Sequence, residues 1–213
     1  MNGHPEVLTR DQKRVLKRLG PFASGQGFYL AGGTALAIHL GHRRSRDFDW
    51  FTTRPLSDAM NLAGSIREEG IPFVGRQVAR GTLSGSISGV PVSFYEYRYP
   101  LLRKEMNWPE FGCLLASLPD IASMKLSAIA QRGGKKDFVD LYALGMKSFD
   151  LKQMLNFYQK KFSLQDIAHV LIALSYFDDA EKERMPAMLR EIQWISVKKT
   201  IQTWVKSFVQ ESK

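Results

Sequence analysis

Apolar positions change their rhythm along the chain near residue 115. Upstream, short apolar runs are cut by glycines; downstream, apolar residues recur at helical spacing. The first pattern predicts strands mixed with short helices, the second a run of helices. Residues 9–19 read as a helix with Thr9 as N-cap and Val15, Leu16 and Leu19 on one side. A short apolar run, 28–31, ends on Gly32-Gly33. Residues 34–40 follow as a helix stopped by Gly41. The aromatic-rich stretch DFDWFT, 47–52, reads as a strand and 57–69 as a second helix. Segments 72–79, 81–88 and 90–97 are β-like and separated by glycines, which predicts an antiparallel meander.

Residues 101–112 show little pattern and read as a loop. Beyond them, SLPDIASMKLSAIAQRGG has Ser117 as N-cap, Pro119 and Asp120 in the first turn, and a glycine pair as stop. Helical spacing then covers 137–144, 151–161, 164–176 and 192–209. The expectation is an α/β (α+β) core over 1–115, a mixed sheet flanked by helices, followed by a helical region over 116–213 that completes and caps a cleft.

Composition narrows the class. The 213 residues are 44% hydrophobic and 24% charged, as in ordinary globular proteins. No apolar run is long enough for a membrane span, and the N-terminal stretch lacks a signal-peptide core. With one cysteine, Cys113, neither an internal disulfide nor a cysteine metal site is available. These features predict a cytoplasmic protein. The net charge is +9, with clusters at Arg43/Arg44/Arg46, Lys135/Lys136, Lys160/Lys161 and Lys198/Lys199. Such a surface favours polyanions, or simply solubility.

The chemistry concentrates in AGGTALAIHLGHRRSRDFDWF, residues 31–51. Asp47 and Asp49 are two apart, so a strand points both carboxylates to one face. Paired carboxylates raise each other's pKa unless a cation lies between them, and a small set of hard oxygens suits Mg²⁺. Gly32 and Gly33 sit where a strand gives way to a helix, so backbone can approach a ligand and the free N–H groups of the helix start favour an anion. The Thr34 hydroxyl can add a donor. Phosphate cradle and metal-binding pair therefore fit one site, whereas either part alone is common surface chemistry. His39 and His42 read as structural or exposed, not as metal ligands.

Gly32-Gly33-Thr34 followed by Asp47-Phe48-Asp49 resembles the G-G-[S/T]…D-x-D signature of the nucleotidyltransferase superfamily. More narrowly, GGTALAIHLGHRRSRDFDWF and the later DIASMKLSAIAQRGGKKDFVDLYAL, 120–144, resemble the AbiEii/AbiGii-type family, which includes toxins of toxin–antitoxin systems. The resemblance implies that Asp47 and Asp49 bind Mg²⁺, and that Gly32, Gly33 and Thr34 hold nucleotide phosphates. It further implies that Lys125 lies near the triphosphate, that Asp137 belongs to the active site, and that Arg43 and Ser45 orient it. Read alone, Lys125 is either a solvated helix residue or a buried cation that needs an anionic partner. Asp137 is either functional or a capping charge, and Asp140 reads as a surface charge. Many nucleotidyltransferases carry a third carboxylate on a neighbouring strand. Glu96 alternates onto the face of Val92 and Phe94 and is the candidate third metal ligand, or else a strand-end charge.

Three readings follow. The first is a Mg²⁺-dependent enzyme that moves a nucleoside monophosphate from a nucleoside triphosphate (NTP) to an acceptor such as tRNA, as a toxin with a cognate antitoxin. The second is a non-catalytic nucleotide- or RNA-binding module of the same fold. The third is a nucleotidyltransferase with a small-molecule acceptor, which the positive charge disfavours.

Overall fold

In the first half, the helices at Arg10–Gly25 and Ala59–Glu68 and the strands at Phe48–Thr52, Thr82–Ile87 and Val90–Glu96 each bury one face, whereas the helix at Gly32–Leu40 is buried nearly all round. The computed structural model describes residues 3–211. Helix α1 (Arg10–Gly25) is opened by a reciprocal Thr9/Gln12 capping box and buries Val15, Leu16 and Leu19. Strand β1 (Tyr29–Leu30) leads into α2 (Gly32–Leu40), then β2 (Phe48–Thr52) and α3 (Ala59–Glu68), which Asp58 caps. Strands β3 (Phe73–Ala79), β4 (Thr82–Ile87) and β5 (Val90–Glu96) form the expected antiparallel meander.

The segment expected as a patternless loop contains β6 (Met106–Trp108), which pairs with β7 (Cys113–Leu115) as a hairpin. Three-residue strands are too short to display a period. What fixes them is burial of Trp108 and Phe111, whose rings pack 4.4 Å apart between centroids. The seven strands make one mixed sheet in the order β3-β4-β5-β2-β1-β7-β6. Strand β2 runs parallel to β5 and antiparallel to β1, and β1 runs parallel to β7.

The remaining helices are α4 (Leu118–Arg132), α5 (Lys135–Lys147), α6 (Leu151–Phe162), α7 (Ala168–Ser175), α8 (Asp178–Glu181) and α9 (Trp194–Glu211). Helix α7 starts later than the expected 164: Ser163 closes α6 in a left-handed conformation, and Asp166 Oδ1 accepts from the Ala168 amide at 2.8 Å where α7 begins. Helices α4 and α5 pack directly on α2. Leu36 and Ile38 of α2 share one continuous core with Leu126 of α4 and Phe138 and Leu141 of α5. The boundary near 115 therefore marks a change of element type within one core. Residues 1–2 and 212–213, at the outer ends of the expected regions, lie outside the described residues.

Candidate active site

Strand β2 alternates strictly. Phe48, Trp50 and Thr52 are buried, while Asp49 and Phe51 face the other way and are half-buried. That second face opens on a cleft of about 390 Å³, between β2 and β5 on one side and α4 on the other. The start of α2 is stapled to β2. The Ala31 amide donates to the Asp49 carbonyl at 3.0 Å, and the Thr34 hydroxyl donates to the Asp47 carbonyl. Both glycines are dictated by what they face. Gly32 has φ +65°, and a Cβ there would lie 3.1 Å from Asp49 Oδ2. A Cβ on Gly33 would lie 2.4 Å from Arg43 Nη2.

Of the residues expected at the site, Gly32, Gly33, Arg43, Ser45, Asp47, Asp49 and Lys125 all line this cleft. Ser45 Oγ donates to Asp47 Oδ1 at 3.2 Å. Burial, followed by the Asp47 charge, pushes the Asp49 carboxyl up to about 6. Lys125, Lys136 and Arg132 oppose that rise, and a cation bound beside the pair would favour the ionised form further. An all-oxygen pair facing a cleft suits Mg²⁺, which commonly takes one or two carboxylates and fills its shell with water and substrate phosphate.

Thr34, Asp137 and Glu96 stand elsewhere. Thr34 is buried and its hydroxyl is committed to the Asp47 carbonyl, so it holds the strand and offers no free donor to phosphate. Glu96 pairs in register with Thr52, which puts it on the sheet face opposite Asp49. There it accepts from the Leu56 amide at 2.8 Å and from Arg98. The face shared with Val92 and Phe94 is the core face, so alternation excludes Glu96 from the metal pair. In register with Asp49, β5 carries Ser93. Among the described residues no group of three His, Cys, Asp or Glu could hold a metal.

Asp137 does not line the cleft. It and Asp140 are fully buried beneath it, in a charge network that supports the cleft wall. Lys125 Nζ bridges Asp137 Oδ1 at 2.9 Å and Asp140 Oδ2 at 2.6 Å. Arg43 binds Asp140 bidentately, through Nε at 2.6 Å and Nη2 at 2.8 Å. His42 Nε2 meets the same carboxylate at 2.8 Å, so this histidine is buried and structural. Arg132 holds Asp137 through Nε and Nη2. Burial works to raise the Asp140 carboxyl, but Lys125 and Arg43 overcome it and hold the group well below the usual carboxylate range. Burial likewise works to lower the Lys125 ammonium, and Asp140 and Asp137 keep it above its ordinary value.

Asp140 and Arg132 were missed as site residues. Their signal was the i, i+3 pair of acids at 137 and 140, which α5 presents together to the basic residues beside it. Lys136 lines the cleft, whereas Lys135 points away, its Nζ 5.1 Å from the Trp194 ring centroid.

This arrangement is a metal-competent acidic pair beneath a glycine-lined helix start with a basic opposite wall, on a mixed sheet. The family described as nucleotidyl transferase AbiEii toxin, of type IV toxin–antitoxin systems, matches residues 14–100. That span holds the glycine pair and both cleft aspartates. An uncharacterized relative from Aquifex aeolicus is 36% identical over 207 residues, 95% of this chain and 98% of its own length. The chain belongs to the AbiEii nucleotidyltransferase toxin family. Three solved structures share the fold. The nucleotidyltransferase toxin MenT4 from Mycobacterium tuberculosis superposes with a TM-score of 0.59 at 14% identity, over 92% of this chain and 82% of its own. JHP933 from Helicobacter pylori gives 0.53 at 15% identity, over 98% and 96%. The antibiotic-resistance factor ANT(2'')-Ia gives 0.53 at 14% identity, over 73% and 94%. Among the described residues no helix is long and apolar enough to cross a membrane.

Proposed function

We propose that this nucleotidyltransferase moves a nucleoside monophosphate from an NTP to a hydroxyl of an RNA acceptor, most specifically a tRNA end, in a Mg²⁺-dependent reaction in the cytoplasm. As the toxin of a toxin–antitoxin pair it would be held in check by a cognate antitoxin. The observation that carries this reading is that Asp47 and Asp49 line one cleft together with the Gly32-Gly33 start of α2, where Asp49 lies against Gly32.

Asp47 and Asp49 would hold Mg²⁺, which when bound neutralises phosphate charge and favours in-line displacement at phosphorus. The backbone N–H groups at the start of α2 face phosphate oxygens without side-chain obstruction. Arg43 is fixed by Asp140 and abuts Gly33, so its guanidinium is pre-positioned at the same place. Arg132 and Lys136 supply further positive charge from the opposite wall. The acceptor oxygen bonds to the α-phosphorus as the bond to the bridging oxygen breaks; pyrophosphate leaves and the hydroxyl proton passes to solvent. The basic rim favours an anionic acceptor over a cationic small molecule.

The test is label transfer from each of the four NTPs, with Mg²⁺ and total tRNA. Transfer to RNA that is lost in an Asp47→Asn/Asp49→Asn double variant of unchanged fold supports the reading. Transfer that persists in that variant removes the metal site, and no transfer with any nucleotide removes the activity. Binding of tRNA should also weaken with salt, with a log–log slope of about −0.7 per contacted phosphate.

A further inference from the structure

The cleft is polarised, and its apolar end has no role in holding phosphate or metal. On the face of β2 that carries Asp49, the next residue is Phe51. Tyr95 of β5 is in register with Phe51, and their rings lie 5.2 Å apart between centroids. Tyr97, just beyond β5, meets Phe51 edge-on at 5.4 Å. All three rings line the cleft and all three are only half-buried. Tyr97 is held from its far side, with Lys161 Nζ 5.5 Å from its ring centroid and the Tyr99 ring at 5.0 Å, so it borders the slot that Phe51 and Tyr95 floor.

The opposite wall is α4, which runs the other way along the cleft. Its first turn is tied to the chain beyond Tyr97, because Asp120 accepts from the Leu102 and Arg103 amides. Met124, one turn on, therefore lies toward the aromatic end. Arg132, at the other end of α4, lies with Asp137. From Met124 to Arg132 the helix advances about 12 Å at 1.5 Å per residue. Along β2, Phe51 lies about 7 Å beyond Asp49 at roughly 3.3 Å per residue. Both walls thus pass from charge to apolar surface in the same direction. Between the rings and Met124 and Ala128 of α4, with Lys125 and Ser127 also on that wall, is a slot that suits a flat group with apolar faces and polar edges.

We propose that this slot takes the base of the NTP, stacked on Phe51 and Tyr95 and bordered by Tyr97, while its phosphates lie toward Gly33, Arg132 and Lys136. The inference rests on the nucleotidyltransferase reading of the same cleft. It adds that nucleotide affinity has a base-dependent part held by aromatic faces. Because every base has a π-face, stacking of this kind tolerates base identity.

The test is calorimetric binding of Mg²⁺ with each NTP, and of Mg²⁺ with inorganic tripolyphosphate, which has no base. Tyr95→Ala should weaken NTP binding by about 5- to 150-fold, the range that stacking on one ring gives. It should leave tripolyphosphate affinity unchanged, and Tyr95→Phe should restore the NTP. Phe51→Ala supplies the same comparison should Tyr95→Ala fail to fold. Equal weakening of both ligands, or undiminished NTP affinity in the folded alanine variants, overturns the base slot and leaves the nucleotide reading standing. Failure of the unsubstituted protein to bind either ligand overturns both.

Discussion

Replacing Asp140 by asparagine changes one atom that substrate never reaches, and it should nonetheless be among the most damaging substitutions in the chain. Asp140 is fully buried and accepts from four donors: His42 Nε2 at 2.8 Å and Arg43 Nε at 2.6 Å on Oδ1, and Arg43 Nη2 at 2.8 Å and Lys125 Nζ at 2.6 Å on Oδ2. An asparagine offers one acceptor oxygen, so the two donors on the other side face an NH₂ group. Each lost hydrogen bond to a charged group costs about 1.5–3 kcal/mol. Two of them give about 3–6, in line with the 3–5 kcal/mol typical of breaking a buried ion pair. Domains of this kind have roughly 5–15 kcal/mol in total.

The assay is urea unfolding at pH 7. A loss of about 4 kcal/mol with an m-value near 2 kcal/mol/M moves the midpoint down by about 2 M. The pH dependence gives a second check. A carboxyl held below its unfolded value of about 3.9 contributes stability that is complete above that value and lost as pH falls through the folded one. The gap between parent and variant should hold down to about pH 4 and shrink only below it. A loss under about 1 kcal/mol, the size of an exposed pair, would refute the buried-network argument. So would a gap that closes nearer neutrality.

Asp49→Asn should abolish transfer and, without metal, raise the thermal midpoint at pH 7. Since the folded Asp49 carboxyl titrates near 6, above its unfolded value, the gain is full above about pH 6 and gone below about pH 4. Lys125→Met should lower stability by about 3–5 kcal/mol in urea as well as weaken nucleotide binding, because it strands two buried carboxylates. Near-normal stability would return Lys125 to a solvated role. Gly33→Ala should weaken NTP binding and lower stability: the atom it strikes is the end of an arginine, but one that Asp140 clamps and that cannot swing away. Glu96→Gln should leave label transfer unchanged, and a large loss there would restore it to the metal site.

What the sequence disclosed depended on whether a signal was local. Thr9 and Ser117 as caps, the meander and the glycine-opened α2 each follow from residues within one or two turns of one another, and all appear in the structure. The β6–β7 hairpin was illegible because its cause is tertiary, the burial of Trp108 and Phe111. The same division runs through the candidate site. Asp47 and Asp49 were readable because strand period alone puts them together. Period also put Glu96 on one face of β5, but it cannot say which face is the core; that depends on β5 lying parallel to β2 with Thr52 opposite Glu96. Asp140 was the opposite case, a residue that looks like a helix-surface charge until Arg43, 97 positions earlier, is brought against it. For Lys125 the sequence left a solvated residue and a buried cation open, and its burial against both acids is the second of these. The charged residues of α4 and α5 therefore act chiefly on the cleft wall: they hold Arg43 in place beside Gly33, at the start of α2.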